Sequence, residues 1–100
     1  MQKDKDIDLT NKHVVVKFSA EWCQPCKQLA STYEKVVSEF SDVKFFSIDI
    51  DDCPNIAQEY KVRSLPTIIF IKSGIENSSL RINGLVKIDP LRKAIKDFSK

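Results

Sequence analysis

Glycine is almost missing from this chain: 100 residues contain two, Gly74 and Gly84. Cysteine is scarce, at three, and tryptophan occurs once. No apolar run approaches the roughly 18 to 20 residues of a membrane span. Neither sign of charge dominates, since 16 Lys and Arg face 14 Asp and Glu for a formal net charge of +2. These shortages exclude whole classes of function. Three cysteines, an odd number, are too few for a disulfide-stapled scaffold. The mixed charge argues against a nucleic-acid-binding tail and against wholesale disorder. The charged stretch Met1 to Leu9 lacks the apolar core of a signal peptide. What remains is a single domain over residues 1–100, long enough to bury roughly two-thirds of the unfolded chain's surface. Its cysteines are then either chemistry or ordinary small core residues.

The opening segment, Met1 to Lys12, is polar apart from Ile7 and Leu9, and reads as a tail or one short amphipathic turn. His13 to Ser19 reads as a strand whose β-branched run implies burial on both faces. A helix is predicted from Pro25 to Phe40, with proline at its first position and Leu29, Ala30, Tyr33, Val36, Val37 and Phe40 on one stripe. Val43 to Ile50 is a second strand. Asp51-Asp52-Cys53-Pro54 turns into a short helix, with Asp52 complementing its positive end. Thr67 to Ile71 is a third strand, Lys72-Ser73-Gly74 a turn, and Leu80 to Asn83 a fourth strand ending at Gly84. Asp89-Pro90, as cap and first helical residue, opens the last helix. The order β-α-β-α-β-β-α implies a three-layer α/β sandwich: a mixed central sheet of four to five strands, parallel in its first half and closed by an antiparallel hairpin.

The chemistry concentrates in Trp22-Cys23-Gln24-Pro25-Cys26, where a buried strand turns into a helix. Two thiols two residues apart there can close into a disulfide with little backbone motion. Cys23 faces the unpaired N–H groups and positive dipole of the helix start. That favours thiolate over thiol, below a reference pKa of about 8.5. The thiolate is the attacking species in disulfide exchange. Cys26, one turn in, suits the resolving role, and Pro25 restrains the backbone between the two. A Cys3His zinc set from Cys23, Cys26, Cys53 and His13 is the competing reading. Structural zinc sites more often pair two short ligand clusters, whereas Cys53 and His13 are isolated. His13 then reads as a polar residue at a strand entrance and Cys53 as a helix-start residue.

The stretch Val14 to Lys27, V-V-V-K-F-S-A-E-W-C-Q-P-C-K, resembles the active-site segment W-C-G-P-C-K of the thioredoxin family. Val62-Arg63-Ser64-Leu65-Pro66-Thr67 resembles that family's cis-proline segment. Asp49-Ile50-Asp51-Asp52 and Gly84 match further, and the resemblance runs over about residues 13 to 98. It implies a thioredoxin-like fold and a protein disulfide reductase with Cys23 as nucleophile and Cys26 as resolving thiol. Pro66 would be the cis-proline, leaving the Leu65 backbone beside Cys23 to pair with an extended substrate. Trp22, Leu65, Pro66 and Gly84 would line an apolar platform, glycine being needed where a side chain would block backbone approach. The resemblance further implies no metal and no bound cofactor, disulfide-containing protein substrates, regeneration by a thioredoxin reductase or equivalent donor, and a monomer in the cytoplasm, with no nucleic-acid or membrane partner.

Three positions depart from the family pattern. Gln24 replaces the glycine between the cysteines, a position that tunes redox poise alongside Pro25. Lys17 occupies the place of a buried acid beneath the resolving cysteine. If charged, it would stabilise a Cys26 thiolate; if it buries only its stem, its amine would snorkel to water. Ser31 replaces a helix-kinking proline, so the helix should run straighter. Few residues precede Val14, so either the sheet has four strands or the natural N-terminus has been trimmed. An oxidising or isomerising member of the superfamily, supported by Lys17, and a redox-inert binding module remain as alternatives.

Overall fold

The computed structural model describes residues 9–100. The segment Met1–Lys12 therefore lies largely outside the described residues; within them, Leu9 packs on the core. The elements are β1 (His13–Ser19), α1 (Gln24–Val37), β2 (Lys44–Asp49), α2 (Pro54–Glu59), β3 (Thr67–Lys72), β4 (Ile75–Glu76), β5 (Ile82–Asn83) and α3 (Ile88–Phe98). A 3-10 turn at Ser78–Leu80 separates β4 from β5.

β1 is the central strand, and its sequence shows why. Alternate side chains leave a strand on opposite faces. Val14, Val16 and Phe18 enter one core cluster with Ile48, Ile69 and Ile71, on the side covered by α2. Val15 enters the other, with Leu29, Tyr33 and Val36 of α1 and Leu91, Ile95 and Phe98 of α3. Ile68 and Phe70 of β3 join that second cluster, so β3 is also buried on both faces. The three layers follow: α2, the sheet, then α1 with α3.

β2 runs parallel to β1 and β3 antiparallel to it. Among the described residues only the β1–β2 pair is parallel, fewer parallel strands than the βαβα order implied. The connection that carries α2 leaves β2 and delivers the chain to the end of the sheet where β1 stops, so β3 runs antiparallel to β1 with Thr67 opposite Phe18. It brings the loop before β3 to the loop after β1.

Local chemistry moved several boundaries. α1 starts at Gln24 with Cys23 as N-cap and ends at Val37, three residues before the expected Phe40. It is one unbroken helix through Ser31. The expected strand Leu80–Asn83 shortens to β5, and β4 is a further short strand that was not expected; both pair with β3, giving a five-stranded sheet. Asn77 interrupts them: its Oδ1 accepts from the Ser79 backbone N–H at 3.2 Å and the Ser79 hydroxyl at 2.6 Å, a side-chain turn that competes with strand pairing. α3 is capped by Lys87, not Asp89, and Pro90 is its third residue. That position is still within the first turn, where a missing N–H loses no intrahelical bond.

Candidate active site

The ends of β1 and β2 and the start of β3 meet at one edge of the sheet, and three loops gather there. The first leaves β1 through a turn in which the Cys23 N–H donates to the Ala20 carbonyl at 3.1 Å. Cys23 caps α1, and its Sγ accepts the Cys26 backbone N–H at 3.2 Å. A disulfide joins Cys23 to Cys26, with Cα atoms 5.3 Å apart. Both are largely buried, and with Ala20 they form a small cluster of their own against Ile50 and Leu65. Cys23 also lines a surface groove; Cys26 does not.

The second loop follows β2. The Asp51 N–H donates to Asp49 Oδ1 at 2.8 Å, and Asp51 Oδ2 accepts from the Trp22 indole Nε1 at 3.1 Å. Trp22 is 67% exposed, so it is no core aromatic; Asp51 fixes its polar edge and leaves its face to solvent. The third loop carries the cis Leu65–Pro66 bond. The Thr67 hydroxyl donates to the Ser64 carbonyl at 2.6 Å, and the Gly84 N–H donates to the Pro66 carbonyl at 2.7 Å.

Together these loops enclose a groove of about 440 Å³ lined by Trp22, Cys23, Gln24, Pro25, Ile50, Val62, Arg63, Ser64 and Leu65. Five residues singled out from the sequence are thus brought together: Trp22, Cys23, Gln24, Pro25 and Leu65. Pro66 is buried and does not line the groove; it holds Leu65 at the rim. Gly84 lies behind Pro66, bonded to it, and also outside the groove. Its φ of +102° selects glycine, while a Cβ there would meet nothing within 4 Å, so backbone conformation rather than crowding explains the residue. Sequence reasoning missed Ile50, Val62 and Arg63, together with the exposed Leu85 just after Gly84. Val62 and Arg63 stand in the segment already matched to the cis-proline loop, which was the available signal.

Lys17 is 7% exposed, so its aliphatic stem is buried in the sheet. By strand alternation it points to the α1 face, where Nζ lies 4.9 Å from the centroid of the Tyr33 ring. Burial pushes its pKa down, opposed by the charge of Glu34. Tyr33 stands seven residues beyond Cys26, about two helical turns. The Tyr33 hydroxyl is anchored on the Phe46 carbonyl at 2.9 Å, and its burial raises the phenol pKa. The ammonium is therefore held over an aromatic face, where a cation is attracted.

The zinc set does not assemble. Among the described residues no group of three or more His, Cys, Asp or Glu side chains is placed to hold a metal ion. His13 packs its ring edge-on against Phe98, and Cys53 is buried at the start of α2. Among the described residues no helix is long and apolar enough to cross a membrane.

The family model for thioredoxin matches residues 2–97. Thioredoxin H5 of Arabidopsis thaliana is 37% identical over 95 residues, spanning 95% of this chain and 79% of that protein. Thioredoxin-2 of Saccharomyces cerevisiae is 46% identical over 66 residues, which is 66% of this chain and 64% of the yeast protein. Among solved structures, Fasciola hepatica thioredoxin superposes with a TM-score of 0.80 at 33% identity, covering 90% of this chain and 84% of that one.

Proposed function

The chain belongs to the thioredoxin family and is a thiol-disulfide oxidoreductase, and on that premise we propose that it works as a reductase of protein disulfides. The observation that carries the reading is the asymmetry of the Cys23–Cys26 pair: one sulfur lines a groove at a helix N-terminus, the other stands behind it. In the reduced state Cys23 is the nucleophile. The Cys26 N–H and the start of α1 stabilise its thiolate. The target lies in the groove as an added strand along Leu65, against the Trp22 face. The Cys23 thiolate attacks one target sulfur, and the other leaves as a thiolate that takes up a proton. Cys26, deprotonated, then attacks Cys23, re-forms the Cys23–Cys26 disulfide and releases the second target thiol. Two electrons pass from the pair to the target, and the steps need no metal or bound cofactor.

Residues 1–100 then act as one domain and as a monomer. Thioredoxins act on disulfide-containing substrates and are reduced by thioredoxin reductase. A donor of that kind returns the electrons here, in a reducing compartment such as the cytoplasm. Gln24 and Pro25, on the groove wall, tune the pair and touch the target.

Lys17 favours a second reading, an oxidase-type member, because a cation beside a reduced pair stabilises it and makes a stronger oxidant. The placement of its amine over Tyr33 weakens that reading. The primary test is dithiothreitol-driven reduction of insulin. The native chain accelerates it and Cys23→Ser reduces the acceleration at least about a hundredfold; equal rates would leave a redox-inert binding module.

A further inference from the structure

Three arginines occur in the chain, and two are engaged with carboxylates. Arg81 grips both oxygens of Glu76 at 2.8 and 2.7 Å. Arg92 grips both oxygens of Glu39 at 2.6 and 2.8 Å and reaches Asp89 at 2.8 Å. Arg63 is different. It is exposed and, among the described residues, makes no hydrogen bond and no ion pair. It is also the one residue with a permanent charge on the groove that holds Cys23. The opposite flank of Trp22 has the opposite character, a second hollow lined by Glu21, Asp49, Asp51 and Asp52. Of those four, Asp52 has a buried Oδ2 with no hydrogen-bond partner among the described residues. The indole thus divides a cationic, apolar groove from an anionic one, with the reactive sulfur on the cationic side.

We infer that Arg63 is a specificity-determining residue of this site, selecting targets that carry an Asp or Glu on one flank of the attacked cysteine. The inference rests on the reductase reading above. A guanidinium presents a planar fork that matches a carboxylate with two parallel hydrogen bonds, the geometry its two sister arginines already adopt within the fold. A peptide laid along Leu65 brings a side chain from one flank to Arg63. Reversing that flank carries the same acid toward four carboxylates, which repel it. Charge therefore sets the direction in which a target lies as well as which targets are preferred.

The test uses short peptides whose single cysteine carries a 2-pyridyl disulfide. Attack by the Cys23 thiolate on the peptide sulfur breaks the disulfide and releases pyridine-2-thione, which is read by its absorbance. Cys26 then displaces the peptide thiol and re-forms the Cys23–Cys26 disulfide. Four peptides are compared: Glu on one flank, Glu on the other, Lys on one flank, and Lys on the other. For the reduced native chain one Glu position reacts about threefold faster than the other, as expected of an exposed charge pair. Lys at the favoured position reacts more slowly than Glu there. Arg63→Glu reverses the preference between Glu and Lys, and roughly 1 M salt, with a Debye length of about 3 Å, removes it. Indifference of both proteins to the charge and its flank at low salt overturns the role of Arg63 while leaving the reductase reading standing. Failure of either reduced protein to release pyridine-2-thione from any peptide overturns both.

Discussion

Cys23 and Cys53 occupy matching places in the chain and differ in almost everything that matters. Each is the N-cap of a helix, each stands within two residues of a proline in the first turn, and each is buried. The Cys23 sulfur accepts a backbone N–H from one turn further on, where a second thiol stands, and it borders an open groove. The Cys53 side chain makes no capping hydrogen bond, its helix is six residues long, and its sulfur sits in the core beneath the sheet with Ile48 and Ile69. A cysteine at a helix start is thus not in itself a redox centre. A resolving thiol at the right spacing and a route for the target make it one.

The sharpest way to break this contrast is alkylation of the reduced chain with iodoacetamide. Cys23 reacts at least about a thousandfold faster than Cys53, because Cys53 becomes accessible only through openings that cost several kcal/mol. Comparable rates would mean that the two sites are chemically alike. A second experiment uses Cys26→Ser, which stalls resolution. Mixed disulfides with target proteins then accumulate, and peptide mapping places every one on Cys23; linkages through Cys53 would dissolve the distinction. Cys53→Ala gives the converse. Insulin reduction stays within about twofold of native, whereas unfolding in urea shows a loss of about 1 to 2 kcal/mol from the vacated core volume.

The smallest effect concerns Lys17. Its pKa is lowered in the folded chain, so the unfolded chain binds more protons between that lowered value and 10.5. The burial penalty is present in full below the folded pKa and fades as pH rises toward 10.5. Lys17→Met therefore stabilises the chain by about 1 kcal/mol at neutral pH. The gain shrinks in urea titrations run at higher pH; a gain that grew with pH would invert the account.

Much of the contrast is legible in the sequence, and the rest has physical reasons for being hidden. The run Val14-Val15-Val16 declares a strand buried on both faces, and Trp22-Cys23-Gln24-Pro25-Cys26 declares the redox pair. The tail is less legible, because Asn77 diverts the backbone into a turn that separates an unexpected β4 from β5, the remnant of the expected strand. The groove wall is less legible still. Ile50 and Arg63 meet Cys23 because β2 ends and β3 begins at the edge of the sheet where β1 ends, a consequence of topology that no local pattern encodes. Lys17 stands out in the sequence as a charge within an apolar strand, but which way its long side chain turns depends on Tyr33, sixteen residues away in sequence.

The direction of electron flow is tested most directly by equilibrating the Cys23–Cys26 pair with glutathione buffers and reading its reduction potential. A value near the roughly −270 mV characteristic of thioredoxins is expected of a reductase whose lysine packs over the Tyr33 ring. A value near the roughly −120 mV of strong dithiol oxidants would contradict the account and return Lys17 to the centre of the chemistry.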